Sequence, residues 1–149
     1  MSQTYFGSTL RAGSGTLTDS TDGGYVVLSQ SVSVTTVAAG TAVNGTITLP
    51  ASSQIINFWL DQVVNEVVGG GTATAINATI GTAAAGTQYL SATDVISGGR
   101  ASLSFTAAQL LAMSDIGTNT SVVLTIDPNG TISTTQGVYN LTVVYAQKV

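Results

Sequence analysis

Apolar and polar residues alternate in six separate segments of the chain between Tyr25 and Tyr145. A period of two places one set of side chains on one face of a β-strand and the other set on the opposite face. The segments are rich in Val, Ile and Thr, whose branched side chains pack well on a pleated surface. The apolar sets are Val26, Leu28, Val32 and Val34; Val43, Ile47 and Leu49; Ile76, Ala78 and Ile80; Leu103 and Phe105; Val122, Leu124 and Ile126; and Tyr139, Leu141, Val143 and Tyr145.

Turn-forming clusters separate these segments. Glycines lie at positions 69–71 and 98–99, and the cluster Asp127–Gly130 has Pro at its second position and Gly at its fourth. This arrangement favours a type I turn. Short strands separated by such turns predict an all-β domain.

The segment Gln54–Val68 fits two structures. Its apolar residues occur in pairs that repeat every four positions, as on one face of a helix, and Ser53 and Gly69 stand where a helix would begin and end. Its content of Val and Ile favours a strand, bulged or broken between Asp61 and Asn65, and this is the interpretation that we prefer. The strand interpretation puts a set of apolar side chains on one face: Ile56, Phe58, Leu60 and Val64.

One short helix is predicted at Thr106–Met113. Thr106 and Gln109 have the spacing of a capping box, and apolar residues follow them. About eight strands and one helix, with no fixed internal repeat, predict an antiparallel β-sandwich that resembles a jelly roll.

Residues 1–24 show neither a strand nor a helix period, so we expect an extended N-terminal arm ahead of a β-sandwich domain at 25–149. The alternatives are a flexible terminus and an arm that packs back on its own sandwich. Aromatic and aliphatic side chains without periodicity become ordered by docking, and Tyr and Phe provide large contact areas at small entropic cost. The only cation before Arg100 lies in the arm and would pair with a carboxylate on the partner. The predicted partner-binding residues are Tyr5, Phe6, Leu10, Arg11 and Leu17.

Composition excludes most catalytic chemistries. The 149 residues include no Cys and no His, three Lys or Arg and seven Asp or Glu, for a net charge of −4. The chain therefore has no thiolate nucleophile, disulfide, Ser-His-Asp triad or His general base. Three cations cannot neutralise a run of phosphates, which argues against nucleic acid as a partner. We expect a protein that is not an enzyme and that holds no cofactor or metal.

Neither a signal peptide nor a membrane span is predicted. No basic start followed by an apolar stretch is present. The most apolar stretch, Gln54–Val68, contains two acidic residues and is shorter than the roughly 20 residues that a spanning helix needs. We expect a protein made and kept inside a cell until it is assembled elsewhere, with no membrane partner.

Two carboxylate pairs are candidate sites. Asp61 and Glu66 are the closest pair with apolar flanks, but residues five positions apart face opposite sides of an unbroken strand. This argues against a glycosidase pair and favours solvated turn or rim residues. Asp19 and Asp22 offer oxygen atoms to calcium, although a calcium loop supplies more acidic positions, and a polar turn is the preferred interpretation.

Two further features leave alternatives open. Trp59 and Tyr89 would form a platform for a sugar if both were exposed, but lone aromatic residues in β-rich chains more often lie in a core or an interface. The nominal outer faces are more apolar than one solvated sheet face needs, which indicates either an interface or packing within the monomer. The outer-face residues concerned are Val27, Val37, Val123 and Val144.

The order of several short segments resembles small virion proteins of tailed bacteriophages, of the head-decoration or head-fibre type. The resemblance covers roughly residues 23–145 and includes the apolar stretch from Gln54. The other segments that carry it are Gly-Gly-Tyr-Val-Val (Gly23–Val27), Thr-Ile-Thr-Leu-Pro-Ala (Thr46–Ala51), Ile-Gly-Thr-Ala (Ile80–Ala83), Gln-Tyr-Leu-Ser-Ala-Thr-Asp-Val (Gln88–Val95) and Val-Tyr-Asn-Leu-Thr-Val-Val-Tyr (Val138–Tyr145).

The resemblance implies a jelly-roll-like domain that binds a capsid as an oligomer, with a trimer as the implied state and no catalytic residues to transfer. It supports the strand interpretation of Gln54–Val68. We therefore expect a non-enzymatic virion structural protein, made in the host cytoplasm, that decorates or stabilises a phage capsid. Its expected partner is the major capsid protein or another virion protein. The alternative is a carbohydrate-binding or adhesin module of a fibre or a cell surface.

Overall fold

The computed structural model describes residues 25–66, 70–114, 116–132 and 135–148. In these ranges the chain forms eight strands and one short helix. In chain order they are β1 (Tyr25–Thr35), β2 (Val43–Leu49), β3 (Ser53–Val64), β4 (Ile76–Gly81), β5 (Leu90–Asp94), β6 (Gly99–Arg100), α1 (Ala107–Met113), β7 (Thr120–Pro128) and β8 (Val138–Lys148).

The strands form two antiparallel four-stranded sheets. Sheet 1 has the order β1-β8-β3-β6 and sheet 2 has the order β2-β7-β4-β5. The first strand therefore pairs with the last, the second with the seventh, the third with the sixth and the fourth with the fifth. This nested pairing is the topology of a jelly roll, so the predicted sandwich of about eight strands is confirmed.

The inner faces of the two sheets bury each other. Alternation along β1, β2, β4, β7 and β8 places the predicted apolar sets on these inner faces, as a period of two requires. The aromatic ring of Phe58 packs against Tyr89 and Phe105, with ring centroids 5.7 Å and 6.3 Å away. The fully buried side chains include Leu49, Leu60, Ile76, Ile80, Leu124, Ile126, Tyr139, Leu141 and Val143.

Strand β3 contains two irregularities that explain its ambiguous sequence. Its pairing with β8 shifts by one residue between Ile55 and Asn57 and again between Gln62 and Val64. An extra residue at each shift changes the phase of the alternation, so apolar residues occur in adjacent pairs without a helix. The segment is a strand as far as Val64, with the bulge that the sequence predicted near Asp61–Asn65.

The predicted inner face of β3 was wrong at its two ends. Phe58 and Leu60 are buried as expected, but Ile56 and Val64 are exposed. The register shift after Ile55 moves Ile56 to the outer side of the sheet, and the shift before Val64 does the same at the other end. Residues 65 and 66 follow the strand, and residues 67–69 lie outside the described ranges.

The predicted strand at Leu103 and Phe105 is also wrong. Both side chains are partly buried against the core, but residues 101–106 form no ladder with a neighbouring strand. Directly after β6, the Ala101 N–H donates to the Leu60 carbonyl at 2.9 Å, and no strand pairing follows before α1. Alternating burial therefore arises here in an extended segment without strand pairing.

The turn predicted at Asp127–Gly130 begins later than expected. Strand β7 continues to Pro128, which pairs with Ile76 across sheet 2. Asn129 then accepts hydrogen bonds at Oδ1 from the N–H groups of Thr74 and Ala75, at 2.8 and 2.9 Å. Pro128 is compatible with the strand because it lies at the final position of the ladder, where its missing N–H costs least.

The helix is confirmed in the predicted place. Thr106 is the N-cap of α1, its hydroxyl accepts from Gln109 N–H, and the Gln109 side chain accepts from Thr106 N–H. Gln109 is buried and also donates from Nε2 to the Thr87 carbonyl and to Ser91 Oγ, at 3.2 and 3.0 Å. The Gln109 side chain thus helps to cap the N-terminus of α1 and connects the helix to Thr87 and Ser91 at the start of β5.

Candidate interaction surface

The outer side of sheet 1 carries large exposed apolar side chains. We call it the open face. Val27 is 61% exposed, Ile56 is 52% exposed and Trp59 is 42% exposed. The two bulges of β3 add to this exposure, because each brings one more apolar residue to the outer side. The open face consists of Tyr25, Val27, Ser29, Ser31, Ser33, Thr35, Gln54, Ile56, Asn57, Trp59, Asp61, Val63, Val64, Arg100, Val138, Asn140, Thr142, Val144 and Ala146.

Exposed apolar side chains lie on both β1 and β3 of the open face. Tyr25 and Val27 of β1 are 62% and 61% exposed, and Ile56 and Trp59 of β3 are 52% and 42% exposed. Strand β8 lies between them, where Thr142 pairs with Trp59 and its Oγ1 lies 2.8 Å from Ser31 Oγ of β1. The apolar surface therefore extends across β1, β8 and β3.

The charged groups described on the open face neutralise each other. Arg100 of β6 pairs with Asp61 of β3 in the sheet, and its Nε and Nη2 donate to the two carboxylate oxygens at 2.7 and 3.0 Å. The guanidinium also lies over the indole of Trp59, 5.4 Å from the ring centroid. The hydrogen bonds from Arg100 lower the pKa of Asp61 below its usual value, so the pair stays ionised.

The outer side of sheet 2 is different because the chain covers it. The connection between β4 and β5 lies across β7, and Ala85 N–H donates to Thr125 Oγ1 at 2.8 Å. Thr125 Oγ1 donates in turn to Asn44 Oδ1 at 2.6 Å. Val123 and Thr125 point outward from β7, yet they are only 8% and 3% exposed. Of the two outer sides, only sheet 1 presents an uncovered apolar surface in the described part of the chain.

A buried polar cluster lies at the opposite side of sheet 1, where β3 ends. Tyr139 of β8 donates from its hydroxyl to Glu66 Oε1 at 2.5 Å, and Gln62 Nε2 donates to the Tyr139 hydroxyl oxygen at 2.9 Å. Gln62 Nε2 also lies 3.2 Å from Glu66 Oε1. Gly137 makes room for the carboxylate, since a Cβ there would lie 2.1 Å from Glu66 Oε2.

Burial controls the ionisation of this cluster. It raises the pKa of Glu66 above its ordinary value, against the opposing effect of hydrogen bonds from Tyr139 and Gln62 and of the nearby Thr36 hydroxyl, and Asp94 adds to the increase. Burial and the neighbouring carboxyl also raise the pKa of Tyr139 far above the ordinary tyrosine value. The cluster lies away from the open face, and its hydrogen bonds hold the end of β3 to β8.

The structure separates the predicted carboxylate pair and the predicted aromatic platform. Asp61 lies on the open face and Glu66 on the inner side of sheet 1, so they cannot act together on one glycosidic bond. Glu66 is not the solvated rim residue that the sequence predicted. Trp59 is exposed on sheet 1, whereas Tyr89 is buried in the core, so the two rings form no common platform.

Other predicted site residues lie outside the described ranges. These include Asp19 and Asp22 and the five residues of the arm that are expected to bind a partner: Tyr5, Phe6, Leu10, Arg11 and Leu17. In the described part of the chain, no three His, Cys, Asp or Glu side chains are grouped so that they could hold a metal ion. No helix found there is long and apolar enough to span a membrane.

The sequence indicated the open face only in part. Val27 and Val144 belong to it, but Val123 is covered by the chain itself, and Val37 lies in the β1–β2 connection. Ile56, Trp59 and Arg100 were not assigned to an interface. Their signal was the doubling of apolar residues along β3, which becomes informative only when the bulges and the partner strand are known.

Comparisons with known proteins give a likeness of fold. No family model matches the sequence, and no curated protein matches it. A solved structure described as "Cyanophage Pam1 capsid asymmetric unit" has a chain that is similar to this one with a TM-score of 0.56 and 20% sequence identity. The likeness covers 97% of each chain. At this identity the similarity establishes the shared fold alone.

Proposed function

We propose that the chain is a non-enzymatic structural protein of a phage virion, which binds the outer surface of the capsid and decorates or stabilises it. Its partner is the major capsid protein or another virion protein. The protein is made in the host cytoplasm and acts as a homo-oligomer, with a trimer as the state that the family resemblance implies.

One observation carries this proposal: a jelly-roll sandwich with an outer face that, among the described residues, is uncovered, rich in apolar side chains and nearly neutral. The full-length similarity to a chain of a phage capsid supports the choice of a virion as the setting. Jelly rolls also occur in lectins and cupins, so the fold by itself does not choose a function. An exposed apolar face of this kind is typical of a protein that is covered by another surface.

Residues 1–24 are the proposed anchor. They contain Tyr5, Phe6 and Leu10, which provide apolar contact area, and Arg11, which provides a charge for a carboxylate on the partner. The contact is made with the capsid or with a neighbouring subunit.

The test is co-sedimentation of the protein with undecorated capsids. The full chain is expected to sediment with the particles, and a chain lacking residues 2–22 is expected to bind at least about tenfold more weakly, a factor equivalent to about 1.4 kcal/mol. A matched control carries Leu111→Ser on the exposed side of α1 and should bind like the native chain. Equal binding by the truncated chain would refute the anchor, and no sedimentation of the full chain would refute the function itself.

A further inference from the structure

We propose that copies of this chain meet through the open face, so that the exposed apolar side chains of β1 and β3 in one copy are covered by the open face of the next. The inference rests on the proposed homo-oligomer and identifies the surface that forms it. The occupant is a second copy of this chain.

Charge favours a second copy as the occupant. Each copy carries a net charge of −4, so two copies repel each other wherever their acidic surfaces meet. On the open face, Asp61 is neutralised by Arg100 through two hydrogen bonds. The remaining described acidic side chains lie elsewhere: Glu66 against Tyr139, and Asp94 and Asp127 on strands of sheet 2. The open face is therefore a surface where like copies approach without net repulsion.

The extent of the apolar surface gives the same answer. Tyr25 and Val27 on β1 and Ile56 and Trp59 on β3 are each at least 42% exposed, so the apolar surface reaches from one side of the sheet to the other. Two sheet faces that pack about 10 Å apart cover side chains of this kind on both copies at once. Repeated around a closed symmetry axis, such a contact generates a ring of identical subunits.

The connecting segments that the structure describes leave the open face accessible. The connection that covers sheet 2 begins after β4 and returns to β5, both in sheet 2. The open face has no comparable cover within the described ranges. Arg100 stacked on Trp59 also holds the indole in place, so less side-chain freedom is lost when a neighbour packs on it.

The experiment measures self-association and the environment of Trp59 in the same samples. Trp59 is the only tryptophan in the chain, so its emission reports on the open face directly. Sedimentation velocity and fluorescence are followed as the full-length protein is diluted from micromolar to nanomolar concentrations. We expect an oligomer at high concentration and, as it dissociates, a red shift of the emission with faster quenching by acrylamide.

Substitutions then locate the contact. Ile56→Ser removes apolar contact area at a position that is 52% exposed, so the fold tolerates it, and we expect the dissociation constant to rise at least about tenfold. Leu111→Ser makes a similar chemical change on α1, at a position that is 74% exposed, and should leave the association unchanged. Circular dichroism of both variants verifies that the sandwich is folded.

Three outcomes would overturn the inference. The first is an oligomer that is unaffected by Ile56→Ser, and the second is dissociation without any change in Trp59 emission. The third is a monomeric protein whose Trp59 becomes protected only when capsids are added, which would identify the capsid as the occupant while preserving the proposed function. Conversely, association through the open face with no binding to capsids would contradict the proposed function and leave this inference standing.

Discussion

Two buried oxygen atoms in the cluster around Tyr139 have no hydrogen-bond donor. They are Gln62 Oε1 and Glu66 Oε2. Tyr139 already donates to the other carboxyl oxygen of Glu66, and Gln62 uses its amide nitrogen as the donor to Tyr139. Buried acceptors without a donor are costly, by about 1–3 kcal/mol each. A proton on Glu66 supplies a donor where the cluster lacks one.

Glu66→Gln tests this assignment through pH. Because the pKa of Glu66 is raised from 4.5, its protonated form stabilises the fold fully below pH 4.5, and this contribution is lost as the pH rises through the raised value. Glutamine can accept from Tyr139 and donate from its amide at every pH. We expect equal melting temperatures for the two proteins near pH 4 and a growing advantage for Glu66→Gln at higher pH.

Asp61→Asn is the matched control because its pKa is shifted in the opposite direction. The pKa of Asp61 is lowered from 3.8 by Arg100, so the ionised form contributes stability above pH 3.8, which is lost as the pH falls through the lowered value. Asp61→Asn should therefore cost stability at neutral pH and less in acid. If Glu66→Gln shows this same dependence, Glu66 is ionised in the native protein.

At the scale of single elements, α1 depends on its capping box. Thr106→Ala removes the acceptor for Gln109 N–H, and a lost N-cap typically costs about 1 kcal/mol. Gln109→Ala should cost more, because the buried amide also joins the helix to Thr87 and Ser91. Urea denaturation of both variants measures these costs, with Ser104→Ala at an exposed position as the control. A smaller effect for Gln109→Ala than for Thr106→Ala would contradict the connecting role.

The connection over sheet 2 should depend on Thr125. Thr125→Val keeps the volume of the side chain but removes the oxygen that accepts from Ala85 N–H and donates to Asn44. Leaving these groups without partners is expected to cost about 1–3 kcal/mol. Thr142→Val on the open face, where the hydroxyl contacts only an exposed Ser31, is the matched control and should cost less.

Hydrogen exchange distinguishes a local effect of Thr125→Val from a general one. Amide protons in residues 82–88 should exchange faster in this variant, while those of the inner strands β7 and β8 change only as much as global stability does. Unchanged exchange in residues 82–88 would mean that the hydrogen bond to Thr125 does not hold the connection in place.

The elements differ in how far the sequence predicts them. In β2, β4 and β8 every apolar residue that the period of two predicts lies on the inner face. In β3 the sequence predicts a strand and one bulge, but the inner face is wrong at Ile56 and Val64, because each register shift depends on pairing with β8. The local sequence pattern shows how side chains alternate, but the bulges that interrupt the alternation depend on the partner strand.

At the scale of the molecule, the sequence predicts the sandwich but not which outer side is open. The alternation of β7 marks Val123 and Thr125 as outward residues, and only the path of residues 82–88 shows that the chain covers them. The same limit applies to Glu66, whose contact with Tyr139 joins residues 73 positions apart in the chain. Contacts of this kind follow from the nested strand order and leave no local pattern.

Residues 25–149 are expected to fold as a domain without the arm. The buried apolar core that the structure describes begins at Val34 and is enclosed by strands that start at Tyr25. A chain lacking residues 2–22 should therefore fold with a melting temperature close to that of the full chain and an unchanged dependence on urea. If the shift of the urea midpoint corresponds to a loss of less than about 1 kcal/mol in the free energy of unfolding, residues 25–149 form an independent domain. A larger loss, with Trp59 more accessible to acrylamide, would mean that the arm packs on its own sandwich. The arm would then be a structural part of the domain, and weaker capsid binding by the truncated chain would no longer identify it as an anchor.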